Sequence, residues 1–330
     1  MRVLLIGGNG FIGLPLTNQL RAAGHEVASF HRGHARSDDD GRVIHIFGDR
    51  NHLPEYSEQL RAFAPDVIID LILSSGEQAR ALMNVARGIT RRVIALGSGD
   101  VYRAWGLVQR VEAGELEPLP ITEDSALRIT RKLYSPEMIR AMQSVAPWAT
   151  EDYDKIAVEE AVMSNREVLG TVLRLPMVYG PGDRAHRLFP ILKHVADGST
   201  SISPPEDLAE WRAPRGYVEN VAHAIAVAAT SDRAAGRIYN VCEDPCLSEL
   251  EWQTSVARLA GWGGEIIKVP VERAPEHLRF KGNVRQHLVI SSQRIRSELE
   301  YGEIVSREEA CAGRLHGSKR IHRKCNEVRV

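Results

Sequence analysis

The first hundred residues alternate between two spacings of apolar side chains. "RVLLI" at 2–6 is a short apolar run, "FIGLPLTNQLRAAG" carries helical spacing and stops at a glycine, and "EVASF" is apolar again. "RVIHIF", "DVIID" and "RRVIAL" repeat the theme, with helical segments around "YSEQLRAF" and "EQARALMNVARG" between the last three. Pro15 falls in the first turn of a helix, where the missing amide hydrogen has no partner to lose. Two further strands are predicted at "GTVLRL" (170–175) and "RIYNV" (237–241). Apolar strands alternating with helices predict an α/β fold, a doubly wound parallel sheet covered on both faces.

The pattern then changes. From Val101 to a helix near Asp154 runs a long stretch rich in Pro, Glu and Arg, read as an irregular lid or binding loop. Residues 181–214 and 244–310 are more polar and punctuated by proline, as expected of a smaller domain built from insertions after the sheet strands. The chain is therefore divided into a domain at 1–180, to which 215–243 returns, and a smaller domain at 181–214 and 244–310. Residues 311–330, basic and without periodicity, are expected to be a frayed tail.

One turn carries chemistry. In "LLIGGNGFIG" the glycines at 7, 10 and 13 follow a strand and open a helix. Gly7 permits the tight turn, Gly10 the approach of a pyrophosphate, and Gly13 close packing of helix on strand. The helix amino terminus, with Phe11 and Ile12 beside it, then offers unpaired amides to the phosphates. This predicts a Rossmann-type dinucleotide site on the larger domain, with the smaller domain on the substrate side.

The second strand ends "SFHRG". A fold that prefers NAD places an acid here for the ribose hydroxyls, whereas this chain has His31 and Arg32, with Arg36 nearby. A guanidinium can clamp a 2′-phosphate, so NADP(H) is expected to be preferred over NAD(H). In "FGDR", Asp49 is a candidate acceptor for the adenine amino group and Arg50 a candidate flank for the ring; an ordinary turn aspartate is the alternative.

Bulk properties narrow the partners. Forty-two Lys and Arg against 43 Asp and Glu leave a net charge of −1, so no global basic field recruits nucleic acid. The basic tail is the one feature that favours it. No apolar run reaches membrane-spanning length, and a first strand starting at Arg2 leaves no space for a signal peptide, so the expected compartment is the cytoplasm. Cys242, Cys246, Cys311 and Cys325 lack paired CxxC spacing, and neither a zinc site nor a disulfide framework is indicated.

With these features in view, the chain resembles the extended short-chain dehydrogenase/reductase superfamily, in its NAD(P)-dependent epimerase/dehydratase group. The resemblance rests on GxxGxxG at Gly7–Gly13, "GSGDVY" after the fifth strand, Lys155 and Glu159 in "KIAVEEAV", "LRLPMVYGPGD" and "RGYVENVAHAI". "DVIIDLI" and "YDKIAVEEAV" are similar to an atypical subgroup, distantly like the chloroplast stem-loop RNA-binding proteins. The resemblance implies that Ser98 bonds a substrate oxygen and that Lys155 holds the nicotinamide ribose. It implies Pro176 and Met177 against the nicotinamide and Leu71 against the cofactor's middle. Tyr102 and Tyr179 are implied to be structural or substrate-lining, and Tyr217 to close the substrate pocket or to pack between domains. A homodimer through two sheet-flanking helices is common in the superfamily.

One position departs from the pattern. The family's Tyr-x-x-x-Lys needs tyrosine at 151, where this chain has Glu151. Helical positions four apart differ by about 40° and share a face, whereas positions two apart differ by about 200°. On a helix regular from 151, Glu151 stands beside Lys155 and Tyr153 opposes it. On a helix that begins only at Asp154, Tyr153 sits on the entry turn and can point inward. A third reading has no tyrosine-type chemistry. The implied function is hydride transfer on a sugar-like or nucleotide-linked small molecule; the rival is a catalytically weak NADP sensor or RNA-binding protein of the same fold.

Overall fold

Arg2–Ile6 forms the buried strand β1, and a glycine turn leads into helix α1 (Gly13–Ala22). The alternation continues through β2 (Glu26–His31), β3 (Ile44–Phe47), α2 (Ser57–Phe63), β4 (Val67–Asp70), α3 (Gly76–Ala86) and β5 (Arg92–Ser98). Next come α4 (Arg103–Val108), α5 (Pro136–Val145), α6 (Lys155–Met163), β6 (Leu169–Leu175) and β7 (Met177–Tyr179). α7 (Phe189–Ala196), β8 (Ser201–Ile202), α8 (Glu206–Glu210), β9 (Arg215–Tyr217) and α9 (Val218–Thr230) follow. β10 (Ile238–Asn240), α10 (Glu249–Leu259), β11 (Glu265–Ile266) and α11 (Gln293–Leu299) complete the series. The computed structural model describes residues 1–33 and 41–310; Arg36, Cys311, Cys325 and the tail at 311–330 lie outside the described residues.

Seven strands form one parallel sheet in the order β10-β6-β5-β4-β1-β2-β3. The chain runs outward from β1 to β3 and then crosses back to β4, so the order reverses between β1 and β4. In such sheets the crevice at the carboxyl ends of the strands, beside that reversal, is where ligands bind. Strand side chains alternate between the two faces, which makes two cores. Val3, Leu5, Val67, Ile69 and Ile94 pack with Leu16 and Leu20 of α1 and Val221 and Ile225 of α9. Leu4, Ile6, Ile68 and Val93 pack with Leu60 of α2, Leu82 of α3 and Val158 and Val162 of α6. Such strands show no polar alternation because both faces are covered.

The stretch read as irregular from Val101 onward is partly helical, a correction to the loop expectation. Ser135 caps α5 by accepting from the Met138 amide, and Pro136 occupies the first turn, where its fixed φ suits a helix. The polar region after 244 likewise holds α10, whose start is a capping box of Ser248 and Glu251. No helix among the described residues is long and apolar enough to cross a membrane.

Candidate active site at the carboxyl ends of the strands

The turn after β1 is built for close approach. Gly7 has φ of +86°, a conformation that other residues adopt at a cost. A Cβ on Gly13 would lie 2.3 Å from the Gly8 carbonyl oxygen, so only glycine lets α1 start this near the turn. Ile12 precedes α1 without a side-chain cap, so the helix offers main-chain amides to an anion. Gly10 is exposed on the same turn, with Phe11 and Ile12 partly exposed beside it. Leu71 continues β4, its amide bonded to the Ile6 carbonyl at 3.0 Å, and borders this cradle. Pro176, between β6 and β7, and Met177, the first residue of β7, are partly exposed. The cradle fits a dinucleotide pyrophosphate.

At the end of β2, His31 Nε2 lies 2.8 Å from His45 Nδ1 of β3, and its ring meets Phe47 edge-on. Arg32 is exposed just beyond. The Asp49 carboxylate accepts from the Asn51 amide at 2.9 Å, capping a short 3-10 turn. Arg50, the candidate flank for the adenine ring, pairs with the end of β4. Its guanidinium is buried, 2.9 Å from Asp70 at the end of β4, and donates to the Gln78 carbonyl. Pairing with a buried carboxylate outweighs leaving either charge alone.

The helix that carries Lys155 begins at Lys155, not at 151. Asp154 is its cap, accepting from the amides of Ile156 and Ala157 at 3.0 and 3.2 Å. Residues 150–153 are therefore a turn, and the two tyrosine-or-glutamate geometries separate. Glu151 is exposed on that turn. Tyr153 points inward: its hydroxyl donates to Asp100 Oδ2 at 2.8 Å, two residues beyond Ser98. Ser98, the last residue of β5, accepts from the Asp100 amide at 3.2 Å. Lys155 is buried and donates to the main-chain carbonyls of Leu73 and Leu96, the latter at 2.9 Å. Its amine also lies 5.0 Å from the Trp148 ring centroid and 5.8 Å from that of Tyr153.

Electrostatics set the proton states. Burial lowers the Lys155 pKa to about 8, against the opposing pull of Asp100 and Asp70. Burial first, and then the negative charge of Asp100, push the Tyr153 phenol well above its ordinary range. The same two causes raise Tyr134, whose hydroxyl reaches Asp100 Oδ2 at 3.3 Å. Ser98, Tyr153 and Lys155 thus stand together beside the crevice, with a hydroxyl, a proton-bearing phenol and a cation. Asp100 and Tyr134 belong to the same cluster, although the sequence did not single them out. The acid in "GSGDVY" two residues after Ser98 was the available signal for Asp100, and nothing local marked Tyr134.

Tyr102, Tyr179 and Tyr217, the structural or substrate-lining candidates, are all buried. Tyr102 is fully buried; its hydroxyl donates to Asn240 Oδ1 at 2.6 Å and accepts from Arg174 at 2.9 Å. Arg174 also forms a two-pronged pair with Glu159 of α6, at 2.9 and 2.7 Å. Tyr179 is buried, donates to Glu243 at 2.8 Å and packs its ring on Trp252. Tyr217 is buried against Tyr179, and its amide donates to Glu243 at 3.0 Å.

Comparison with known proteins agrees with this architecture. A family model described as the NAD dependent epimerase/dehydratase family matches residues 136–242. The chain is 25% identical over 285 residues to a 2′-dehydrokanamycin reductase of Streptomyces kanamyceticus, covering 84% of this chain and 72% of that protein. It is 27% identical over 256 residues to a 2-alkyl-3-oxoalkanoate reductase of Stenotrophomonas maltophilia, covering 72% and 69%. A shorter match, 25% over 130 residues and 36% of this chain, 34% of the other, is to the chloroplast stem-loop binding protein of 41 kDa b of Arabidopsis thaliana. Among solved structures, the epimerase Mth375 of Methanothermobacter thermautotrophicus superposes with a TM-score of 0.69 at 16% identity, covering 98% of this chain and 94% of that one. MoeE5 in complex with UDP-glucuronic acid and NAD gives 0.67 at 20%, covering 97% and 99%.

Proposed function

We propose that this chain, similar to the NAD-dependent epimerase/dehydratases and to reductases of the extended short-chain dehydrogenase/reductase superfamily, is an NADP(H)-dependent oxidoreductase acting on a sugar-like small molecule. The observation that carries this reading is the meeting of Ser98, Tyr153 and Lys155 beside the glycine cradle. A nicotinamide bound there supplies or accepts a hydride. The chain's own residues do the rest. The glycine turn and the start of α1 hold the pyrophosphate, and the Lys155 amine faces the ribose. Ser98 orients a substrate oxygen, and Tyr153 exchanges a proton with it. Residues 181–214 and 244–310 are proposed to form the substrate side. The reductase and nucleotide-sugar relatives support a hydroxylated carbonyl compound as the substrate class.

The 2′-phosphate preference rests on His31 and Arg32 at the end of β2, in the positions where an NAD-preferring fold carries an acid. NADPH is expected to bind at least about tenfold tighter than NADH, a difference of ~1.4 kcal/mol. Calorimetric titration with each dinucleotide measures it, and Arg32→Ala should erase most of the gap. Equal affinities would remove the assignment of NADP(H).

The lysine gives a separate expectation. Its pKa is lowered to about 8, so the cation is present below that pH and lost above it. Dinucleotide affinity should therefore fall as pH rises through about 8, and Lys155→Gln should bind more weakly with that step absent. Titrations on either side of this pH decide it; a wild-type affinity flat across the range would separate the amine from the cofactor.

A further inference from the structure

Asp100 receives more than its place in a short turn explains. It is 5% exposed, and the hydroxyls of Tyr153 and Tyr134 both donate to its Oδ2, at 2.8 and 3.3 Å. Its Oδ1 is buried without a hydrogen bond. Arg128 sits 4.0 Å from that oxygen and donates through Nε to the main-chain carbonyl of Asp100 itself. Lys155 and Glu159 of α6 complete the charges around it. The two phenols come from separate segments, one before α5 and one at the entry to α6, and their rings lie 5.7 Å apart. A carboxylate that merely sat in the turn after β5, which Ser98 caps, would need neither.

We propose that Asp100 is the positioning residue of this site: its carboxylate accepts from the Tyr153 hydroxyl and holds that phenol at the end of β5, beside Ser98, as the proton donor for reduction of a substrate carbonyl. This rests on the oxidoreductase reading above and narrows it. In the reductive direction the carbonyl carbon takes a hydride, with its electron pair, from a reduced nicotinamide dinucleotide. The carbonyl oxygen takes the Tyr153 proton. The C=O π bond and the Oη–H bond break, a C–H and an O–H bond form, and the phenolate regains its proton from solvent. The reverse reaction needs a phenolate beforehand, next to a carboxylate that opposes it. Each pH unit by which ionisation is delayed leaves tenfold less phenolate below that point. The displaced tyrosine is thereby explained. With the phenol two residues before Lys155 and outside the helix, it can reach Asp100 beside Ser98.

The test needs neither substrate nor cofactor, so its failure is separate from failure of the oxidoreductase reading, which dinucleotide titration examines. Tyrosinate formation is followed by ultraviolet absorbance in wild type, Asp100→Asn, Tyr153→Phe and the double variant. Asparagine keeps the shape and an acceptor oxygen but removes the charge. The band absent from Tyr153→Phe is expected to appear at least one pH unit lower in Asp100→Asn than in wild type. An unchanged midpoint overturns the proposal. If Asp100→Asn does not fold, Cζ NMR of labelled tyrosine in wild type, assigned with Tyr153→Phe, replaces it. The Tyr153 signal should remain that of a phenol at least one unit above the exposed tyrosines, and ionisation with or before them overturns the proposal.

Discussion

Replacing Tyr153 by phenylalanine is expected to cut turnover by about 10²- to 10⁴-fold, the usual contribution of a positioned proton donor. NADPH binding should be retained, because the phenol faces Asp100 and Ser98 rather than the glycine cradle. Glu151→Gln should change turnover by less than about twofold, as for other exposed positions without a structural role. NADPH oxidation with a panel of hydroxylated ketones and nucleotide sugars provides the assay. If Glu151→Gln abolishes turnover and Tyr153→Phe does not, the inward phenol is not the proton donor and the exposed carboxylate must swing in. If neither variant changes a measurable rate, this segment supplies no acid or base.

The second large effect concerns stability. Glu159 and Arg174 are buried and joined at 2.9 and 2.7 Å, and Arg174 also holds the Tyr102 hydroxyl and the Glu123 carbonyl. Asn240 closes the ring, bonding Tyr102 through its side chain and Glu123 through its amide. Glu159→Leu strands a buried guanidinium and should cost about 3–5 kcal/mol, the range for breaking a buried pair from one side. Glu159→Leu with Arg174→Met should recover much of that loss, because neither charge is then left without its partner. Urea unfolding of the two variants measures both. A single variant within about 1 kcal/mol of wild type would show that the arginine finds other compensation.

Legibility in the sequence followed the range of the interactions. β1, its turn and α1 are local, and the reason for Gly13 is visible within a few residues: the Cβ it lacks would meet Gly8. The parallel sheet was legible because strands covered on both faces lose polar alternation. The start of α6 was only half legible. Asp154 is a good cap, but spacing alone allowed a helix from 151, and what decides is that Asp154 accepts from two helix amides while its own amide bonds to the Ser74 carbonyl. The pairing of Arg50 was not legible because its partner, Asp70, is distant in sequence and reached only when β4 is in place. Tyr134 was invisible for the same reason. Its role depends on a loop path, and residue type alone does not record that path. The α5 start, Ser135 and Pro136, was a readable signal inside a stretch whose composition suggested a loop.

The pairing of β5 with β6 has a consequence for the order in which this chain acquires its parts. Arg92–Ser98 aligns with Leu169–Leu175 residue for residue, across an intervening segment that holds α4, α5 and α6. Loop-closure entropy must be met before that pairing returns anything, so it belongs to the slow part of folding. During synthesis the glycine cradle emerges with the first strands, while Ser98 waits for Lys155 and Tyr153 until the sixth strand docks. A nascent chain stalled before residue 169 would thus carry the groups that grip a phosphate but not the ordered groups that move a proton. Under the proposed function, the phosphate cradle and the proton-transfer groups would therefore be completed at different chain lengths.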